Sequence, residues 1–274
     1  AGGDIHYLSS CATGRIGRVL IADVAGHGEQ VAGLAIKLRA ILRKNVNYVD
    51  QSRVMREMNR EFVAEQQRGS GLARFATAIV ATFWGPTGEL DLTIAGHPPP
   101  LLYRSATRAW SALAATAPTS DDADVPLGIL DTSTYTRQQV RLQRDDLLVL
   151  YTDALVEASP NAGRSSDRRE MLGTSGLLAL ARELDVSDAA AVTTSLLDRV
   201  RAFAGGELDD DATLMVLKLN AIPPVRGSFA TGLATTGRLV KEFVTAPFRR
   251  ETFAWPQLRV DNFLGSFVDR FNRR

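Results

Sequence analysis

Four acidic positions stand where a folded chain can concentrate charge. Asp23 closes the apolar run Val19-Leu-Ile-Ala22 and opens into the glycine-bracketed turn Val24-Ala-Gly-His-Gly28. Asp153 follows Leu147-Leu-Val-Leu-Tyr-Thr152, Asp209-Asp-Asp211 immediately precedes the run Ala212–Leu219, and Asp4 follows Gly2-Gly3. Short apolar runs of this kind read as buried strands, which seldom carry unpaired charge inside a core. At strand ends, however, a sheet can gather side chains that are distant in sequence. If these carboxylates converge, they make an oxygen-only site for hard divalent cations such as Mg²⁺ or Mn²⁺. Two such ions bind a phosphate, lower the pKa of a bridging water and hold attacking and leaving oxygens in line. Each aspartate also has a plainer reading: Asp23 as a cap for the turn or the next helix, the acidic triplet as a solvated turn. With three histidines, one cysteine and no H-x-x-x-H or C-x-x-C spacing, a zinc site is disfavoured.

The elements that must position these residues can be read from periodicity. Residues 16–23 form the first clear strand. Val31, Leu34, Ala35, Leu38, Ile41 and Leu42 give a helical stripe over 29–45, and Val54, Met55, Met58 and Phe62 another over 52–67, the methionines serving as core filling. Gly69-Ser-Gly71 is a loop. Residues 74–84 and 89–95 read as a hairpin through Gly85-Pro-Thr-Gly88, and 101–103 as a short strand after Pro98-Pro-Pro100. Residues 114–125 are expected to be a mobile loop. Residues 136–142 and 147–151 read as a further strand pair around Arg144-Asp-Asp146. A polar excursion over 159–169 precedes helices at 177–184 and 189–203, the second capped at Ser187-Asp188, and 212–219 is the last core strand. Helix pairs interrupted by antiparallel-looking strand pairs indicate an α+β layered fold with sheets inside and helices outside.

Composition sets the outer limits. At 274 residues, 45% hydrophobic and 23% charged, the chain has ordinary globular usage and room for one large domain with an appendage. Its net charge of +1 is unevenly placed: from Arg226 onward 9 Lys/Arg face 4 Asp/Glu, leaving −4 for residues 1–225. Ile222-Pro-Pro-Val225 closes the main domain, expected over 1–221. Beyond it, 222–274 reads as a linker and a basic amphipathic tail, with Leu239, Val240, Phe243 and Val244, then Phe263, Leu264, Phe267, Val268 and Phe271 at helical spacing. Such a tail can lie on an anionic membrane surface, dock on a partner or pack on its own domain. The lone Cys11 rules out an intramolecular disulfide and fits a reducing compartment. No run reaches transmembrane length and no signal peptide is present, so a cytoplasmic location is expected. The chain starts on Ala1 without Met, which reads as a piece of a longer protein, so an upstream sensor or membrane segment stays open.

In series, the motifs resemble the SpoIIE/RsbU-type branch of the PPM (metal-dependent, protein phosphatase 2C-like) serine/threonine phosphatases. The matching residues run Gly2-Gly-Asp4, Ala22-Asp-Val-Ala-Gly-His-Gly28, Arg74-Phe-Ala-Thr77, Ala95-Gly-His-Pro-Pro-Pro100, Pro126-Leu-Gly-Ile129, Leu150-Tyr-Thr-Asp153 with Glu157-Ala158, and Asp210-Asp-Ala-Thr213. The resemblance implies a central antiparallel β-sandwich flanked by helical layers, with a two-metal site at one end. It makes Asp4, Asp23, Asp153 and Asp210 the metal carboxylates, with the backbone carbonyl of Val24 as a further ligand and Asp211 an adjacent acid. Asp23, Asp153 and Asp210 would carry catalysis. The implied reaction is hydrolysis of phosphoserine or phosphothreonine by water activated by two Mn²⁺ or Mg²⁺ ions, without a phosphoenzyme. The implied substrate is a phosphorylated STAS-type anti-anti-sigma protein in a partner-switching pathway.

The sequence departs from that pattern in places. Ala154 replaces a glycine after Asp153, a strain of about 1 kcal/mol if the position needs positive φ, and Tyr7 stands where a second acid is often found. The strand that usually precedes Gly-Gly-Asp is absent. His27 is expected to shape its loop, with proton donation to the leaving alkoxide as the alternative. His97 is expected to tie a turn together, and Arg74 is either a phosphate clamp by position or purely structural. Ala154 and Tyr7 motivate a second hypothesis, a catalytically impaired interaction module of the same fold; the four retained acids argue against it. A two-metal nuclease would want a basic, aromatic-lined channel, which the −4 charge of residues 1–225 does not provide, so no nucleic-acid partner is expected.

Overall fold

The computed structural model describes residues 3–10, 16–26, 28–45, 50–68, 74–113, 120, 122–160 and 171–220. Cys11, His27, the 69–71 loop, residues 114–119 and 161–169, and the amphipathic tail lie outside the described residues.

Two antiparallel sheets stack face to face between helices. The first carries β1 (Asp4–Ser10), β2 (Ile16–Val24), β3 (Ala76–Trp84), β4 (Glu89–Ala95) and β7 (Arg137–Arg141), side by side in that order. The second runs β6 (Ala109–Ala112), β5 (Leu101–Arg104), β8 (Leu147–Tyr151), β9 (Leu214–Lys218). Because side chains alternate along a strand, each sheet feeds two cores. Val19, Ile21, Ile79 and Ala81 of the first sheet meet Leu102, Leu148 and Leu150 of the second in the sandwich interior. Leu20, Ala22, Ala78 and Val80, on the other face, pack under α1 (Glu29–Asn45) and α2 (Gln51–Arg68). Leu101, Leu147, Val149 and Tyr151 likewise pack under α4 (Gly173–Arg182) and α5 (Ala189–Ala204). The helical stripes hold as expected: Val54, Met55, Met58 and Phe62 of α2 are all fully buried, and Asp188 caps α5 by accepting the Ala190 N–H.

Several expectations are corrected. Residues 136–142 and 147–151 do not pair with each other. β7 pairs with β4 in one sheet and β8 with β5 and β9 in the other, so Arg144-Asp-Asp146 is a crossover between sheets. Asp146 anchors that crossover by accepting from the Gln143 and Ser105 amides and from Arg104. β1 is a true strand although its Ser-containing sequence gives little apolar signal; it pairs with β2 along its whole length. β6, folded back on β5, was not anticipated either. α4 starts at Gly173 rather than at 177, since its glycines and Thr174 hide the first turn from a propensity reading. A one-turn helix α3 (Ala154–Glu157) follows β8 directly.

Candidate metal centre

Strand register brings the acidic residues together. In the β1–β2 ladder Asp4 lies directly across from Asp23. Ile5 and Ala22 beside them face the helices, so both carboxylates face the sandwich interior at its open end. Gly3 makes this approach possible: a Cβ there would collide with the Val24 carbonyl oxygen and the Asp23 carboxylate. Its carbonyl accepts the Val24 N–H at 3.2 Å. The second sheet delivers the rest. Thr152, just past β8, and Thr213, just before β9, exchange backbone and hydroxyl hydrogen bonds. Both hydroxyls donate to the same Asp4 oxygen, at 3.0 and 2.6 Å. This clasp sets Asp153 and the exposed Asp210 beside the first pair.

The electrostatics confirm the proximity. Asp23 is pushed up to about 7, first by burial and then by the charges of Asp153, Asp4 and Asp210, with a hydrogen bond to the Asp4 carboxyl adding to the shift. Asp4 is raised by burial, against the pull of the Thr213 and Thr152 hydroxyls, with Asp153 and Asp211 raising it further. Asp153 is raised chiefly by burial and also by Asp210, offset in part by the Ala154 amide. Glu157, in α3, rises through burial and the charges of Asp153 and Asp210. Among the described residues no cationic side chain contributes to any of these shifts. Carboxylates crowded without a Lys or Arg call for a positive charge from elsewhere. The donor set is all oxygen, which suits a hard divalent ion. Among the described residues no three His, Cys, Asp or Glu side chains are grouped closely enough to hold a metal ion as they stand.

The plainer readings fare less well. Asp153 occupies the N-cap position of α3 but makes no side-chain capping bond. The helix α1 takes its first N–H bonds to the Gly28 carbonyl rather than to Asp23. The acidic triplet keeps its plainer reading in part: Asp209, Asp210 and Asp211 are all exposed, and Asp210 accepts the Asp211 N–H at 2.8 Å.

The departures also resolve. Ala154 does not have positive φ; it is the buried first residue of α3, so the feared strain at this position is absent. Tyr7 packs against the helix-side core. Arg74 turns its guanidinium onto the Ala25 carbonyl at 3.1 Å and over Gly26, whose φ is +110°. Its backbone N–H is held by Gln66 of α2 at 2.6 Å, so Arg74 buttresses the loop after Val24. His97 does more than tie a turn. Its Nε2 meets the Tyr151 carbonyl at 2.9 Å and its Nδ1 the Thr77 hydroxyl at 2.9 Å. A carbonyl only accepts, so Nε2 carries the proton and Nδ1 accepts from Thr77. Burial holds this ring neutral, with a pKa lowered to about 4. Thr77 is the cross-strand partner of Asp23, and Tyr151 lies two residues before Asp153. His97 therefore pins the two sheets together behind the carboxylates. Sequence reasoning did not single out Gly3, Thr152, Thr213 or Glu157 as site residues; all four lie within the quoted motifs, but only the folded arrangement shows what they touch.

Solved structures with this layering include the RsbU and RsbW domains of Rv1364c from Mycobacterium tuberculosis (TM-score 0.63, 23% identity, 89% of this chain and 64% of that one). They also include the SpoIIE PP2C phosphatase domain with a regulatory fragment from Bacillus subtilis (0.62, 16%, 80% and 59%) and the SiaA-PP2C domain of Pseudomonas aeruginosa (0.63, 16%, 80% and 81%). The fold is that of the PP2C-type phosphatase domains. A family model, Stage II sporulation protein E (SpoIIE), matches residues 14–220, and the chain belongs to that family. Phosphoserine phosphatase RsbP of Bacillus subtilis (strain 168) is 25% identical over 156 residues, 57% of this chain but only 36% of RsbP.

Proposed function

We propose that this chain is a metal-dependent phosphoserine/phosphothreonine protein phosphatase. The observation that carries the reading is the clustering of Asp4, Asp23 and Asp153 at the ends of two sheets, with Asp210 beside them and, among the described residues, no cationic side chain as a charge partner. Family membership and the likeness to RsbP support the reaction class.

Asp4, Asp23, Asp153 and Asp210, with the Val24 carbonyl, would hold two Mn²⁺ or Mg²⁺ ions. When bound, such ions supply an activated water and charge stabilisation on a phosphoryl group. The protein's own part is positioning. Thr152 and Thr213 aim Asp4, Gly3 lets β1 approach Val24, and Arg74 steadies the Ala25–Gly26 backbone. His97 fixes the spacing between the sheets that bear Asp23 and Asp153. The carboxylates repel an anionic phosphate until their charge is compensated, which couples substrate binding to ion binding. We infer that the substrate is a phosphorylated regulatory protein of STAS anti-anti-sigma type. Residues 1–221 would form the phosphatase domain and 222–274 a basic tail for a partner or a membrane surface. The impaired-module alternative loses one of its two motives with Ala154 in a helical conformation, and keeps the other at Tyr7.

The test is turnover of a phosphoserine peptide in Mn²⁺ by the unsubstituted protein beside Asp23→Asn and Asp210→Asn. Metal-dependent release of phosphate that both substitutions cut by about 10²-fold or more is expected. No turnover by the unsubstituted protein would sink the reading, and turnover surviving both changes would sink the site assignment.

A further inference from the structure

Two hydroxyls from the second sheet converge on a single oxygen atom of the first. Thr152 donates to Asp4 Oδ2 at 3.0 Å and Thr213 to the same Oδ2 at 2.6 Å. A carboxylate oxygen offers about two lone-pair sites. The two donors therefore fill Oδ2 and leave Oδ1 to meet any further partner. Neither hydroxyl is loosely held. Thr152 is fully buried, and its oxygen accepts the Thr213 N–H at 2.9 Å while its own N–H donates to the Thr213 carbonyl at 3.0 Å. The ladder of β8 and β9 continues this pairing, from Tyr151 opposite Leu214 to Leu147 opposite Lys218. Asp4 is fixed from its own side by its place opposite Asp23 in the β1–β2 ladder.

The Asp4 carboxyl is thus held in rotation as well as in place. Turning it so that both oxygens face one way breaks both hydroxyl bonds. That restriction discriminates between cations. Ca²⁺ gathers a large, flexible shell of oxygens and often takes both oxygens of one carboxylate, whereas Mg²⁺ keeps a small, near-octahedral shell filled by single oxygens and water. A carboxylate with one oxygen already spent suits the second habit and not the first. Groups that bind a ligand from behind also set how well it holds its ion, typically by one to two orders of magnitude in affinity.

We propose that Thr152 and Thr213 are positioning residues that select the ion: by holding Asp4 to one free oxygen, they set the site against Ca²⁺ and in favour of smaller divalent cations. The inference rests on the metal-dependent reading of the site. Its test is binding rather than turnover. Mn²⁺ bound to the protein is followed by electron paramagnetic resonance while Ca²⁺ or Mg²⁺ is added as competitor, and the ratio of the two competition constants is compared between variants. Thr213→Val removes the hydroxyl with the shorter bond to Asp4 and keeps the backbone pairing with Thr152, so Ca²⁺ should gain on Mg²⁺ by about tenfold. Thr213→Ala, which asks no branched shape of the site, should move the ratio the same way. Thr213→Ser keeps the hydroxyl and should keep the ratio of the unsubstituted protein. An unchanged ratio in Thr213→Val and Thr213→Ala, or a serine variant that behaves like the valine one, overturns the proposal and leaves the metal reading standing. Loss of all Mn²⁺ binding in both also overturns it, because the hydroxyl would then be needed for any ion rather than for a choice between ions. An unsubstituted protein that takes up no Mn²⁺ refutes the metal reading itself, and the proposal with it.

Discussion

The sandwich holds two aspartate-rich corners, and they are built on opposite plans. At the crossover from β7 to β8, Asp146 is 1% exposed, and burial alone would raise its pKa. The Gln143 and Ser105 amides, Arg104 and the Ser105 hydroxyl outweigh that and hold it below the usual carboxylate range. At the other corner Asp23 is only half-buried, yet burial first, and then the charges of neighbouring carboxylates that nothing offsets, drive it up to about 7. One corner is complete as the polypeptide supplies it. The other crowds carboxylates together without such partners among the described residues, and on the proposed reading that contrast separates a structural aspartate from one kept for chemistry.

The comparison can be broken at several points. The largest effect is expected at Asp146: replacing it with Ala strands Arg104 and two amides, costing about 3 kcal/mol. In a domain of this size that lowers the melting temperature by roughly 6–12 °C, with little change in the metal dependence of any activity. Thermal unfolding of Asp146→Ala checks it, and an unchanged melting temperature would mean the corner is not the anchor described.

A smaller effect of opposite sign is expected at Asp23. Its folded-state pKa lies above the unfolded value of 3.8, so ionisation opposes folding above that value and the penalty is complete above about pH 7. Asp23→Asn should therefore stabilise the protein in EDTA at pH 8 by about 1–2 kcal/mol, after allowance for solvent screening at a half-exposed group. The gain should vanish near pH 4. Urea unfolding at the two pH values measures it; destabilisation at pH 8 would contradict the crowding.

His97 gives a test in the pH slope rather than in a single value. Its folded pKa of about 4 lies below the ordinary 6.5, so the unfolded chain takes up a proton first as pH falls. Stability contributed by the neutral ring is present above pH 6.5 and is lost towards pH 4, by at most about 1.4 kcal/mol per pH unit. His97→Gln should remove this slope from the difference between the two proteins' stability profiles. Nitrogen chemical shifts should show Nδ1 bare and Nε2 protonated from neutral pH down to about pH 5.

The two corners also differed in how far the sequence revealed them. Asp23 and Asp153 were legible because each interrupts or ends an apolar run, a pattern with few structural causes. Asp146 was misread as part of a hairpin turn, since two strands around a charged triplet usually pair with each other and only tertiary packing sends them to different sheets. β1 gave too weak an alternation to be seen, so the facing of Asp4 and Asp23 could be expected only from resemblance. The threonine clasp was illegible for a different reason. Thr152 and Thr213 are 61 residues apart and each meets Asp4 across more than half of the chain, and no local pattern encodes such a meeting.

That clasp bears on the order in which the protein becomes competent. The Thr213–Asp4 hydrogen bond joins residues 209 positions apart, through β9, an outer strand of its sheet and the last to leave the ribosome among the described elements. Closing so long a loop comes late in folding, after the local hairpins and helices have formed. Asp4 is thus aimed only when the first and last strands have both docked. A nascent or C-terminally clipped chain would hold most of the sandwich and still lack an ordered site.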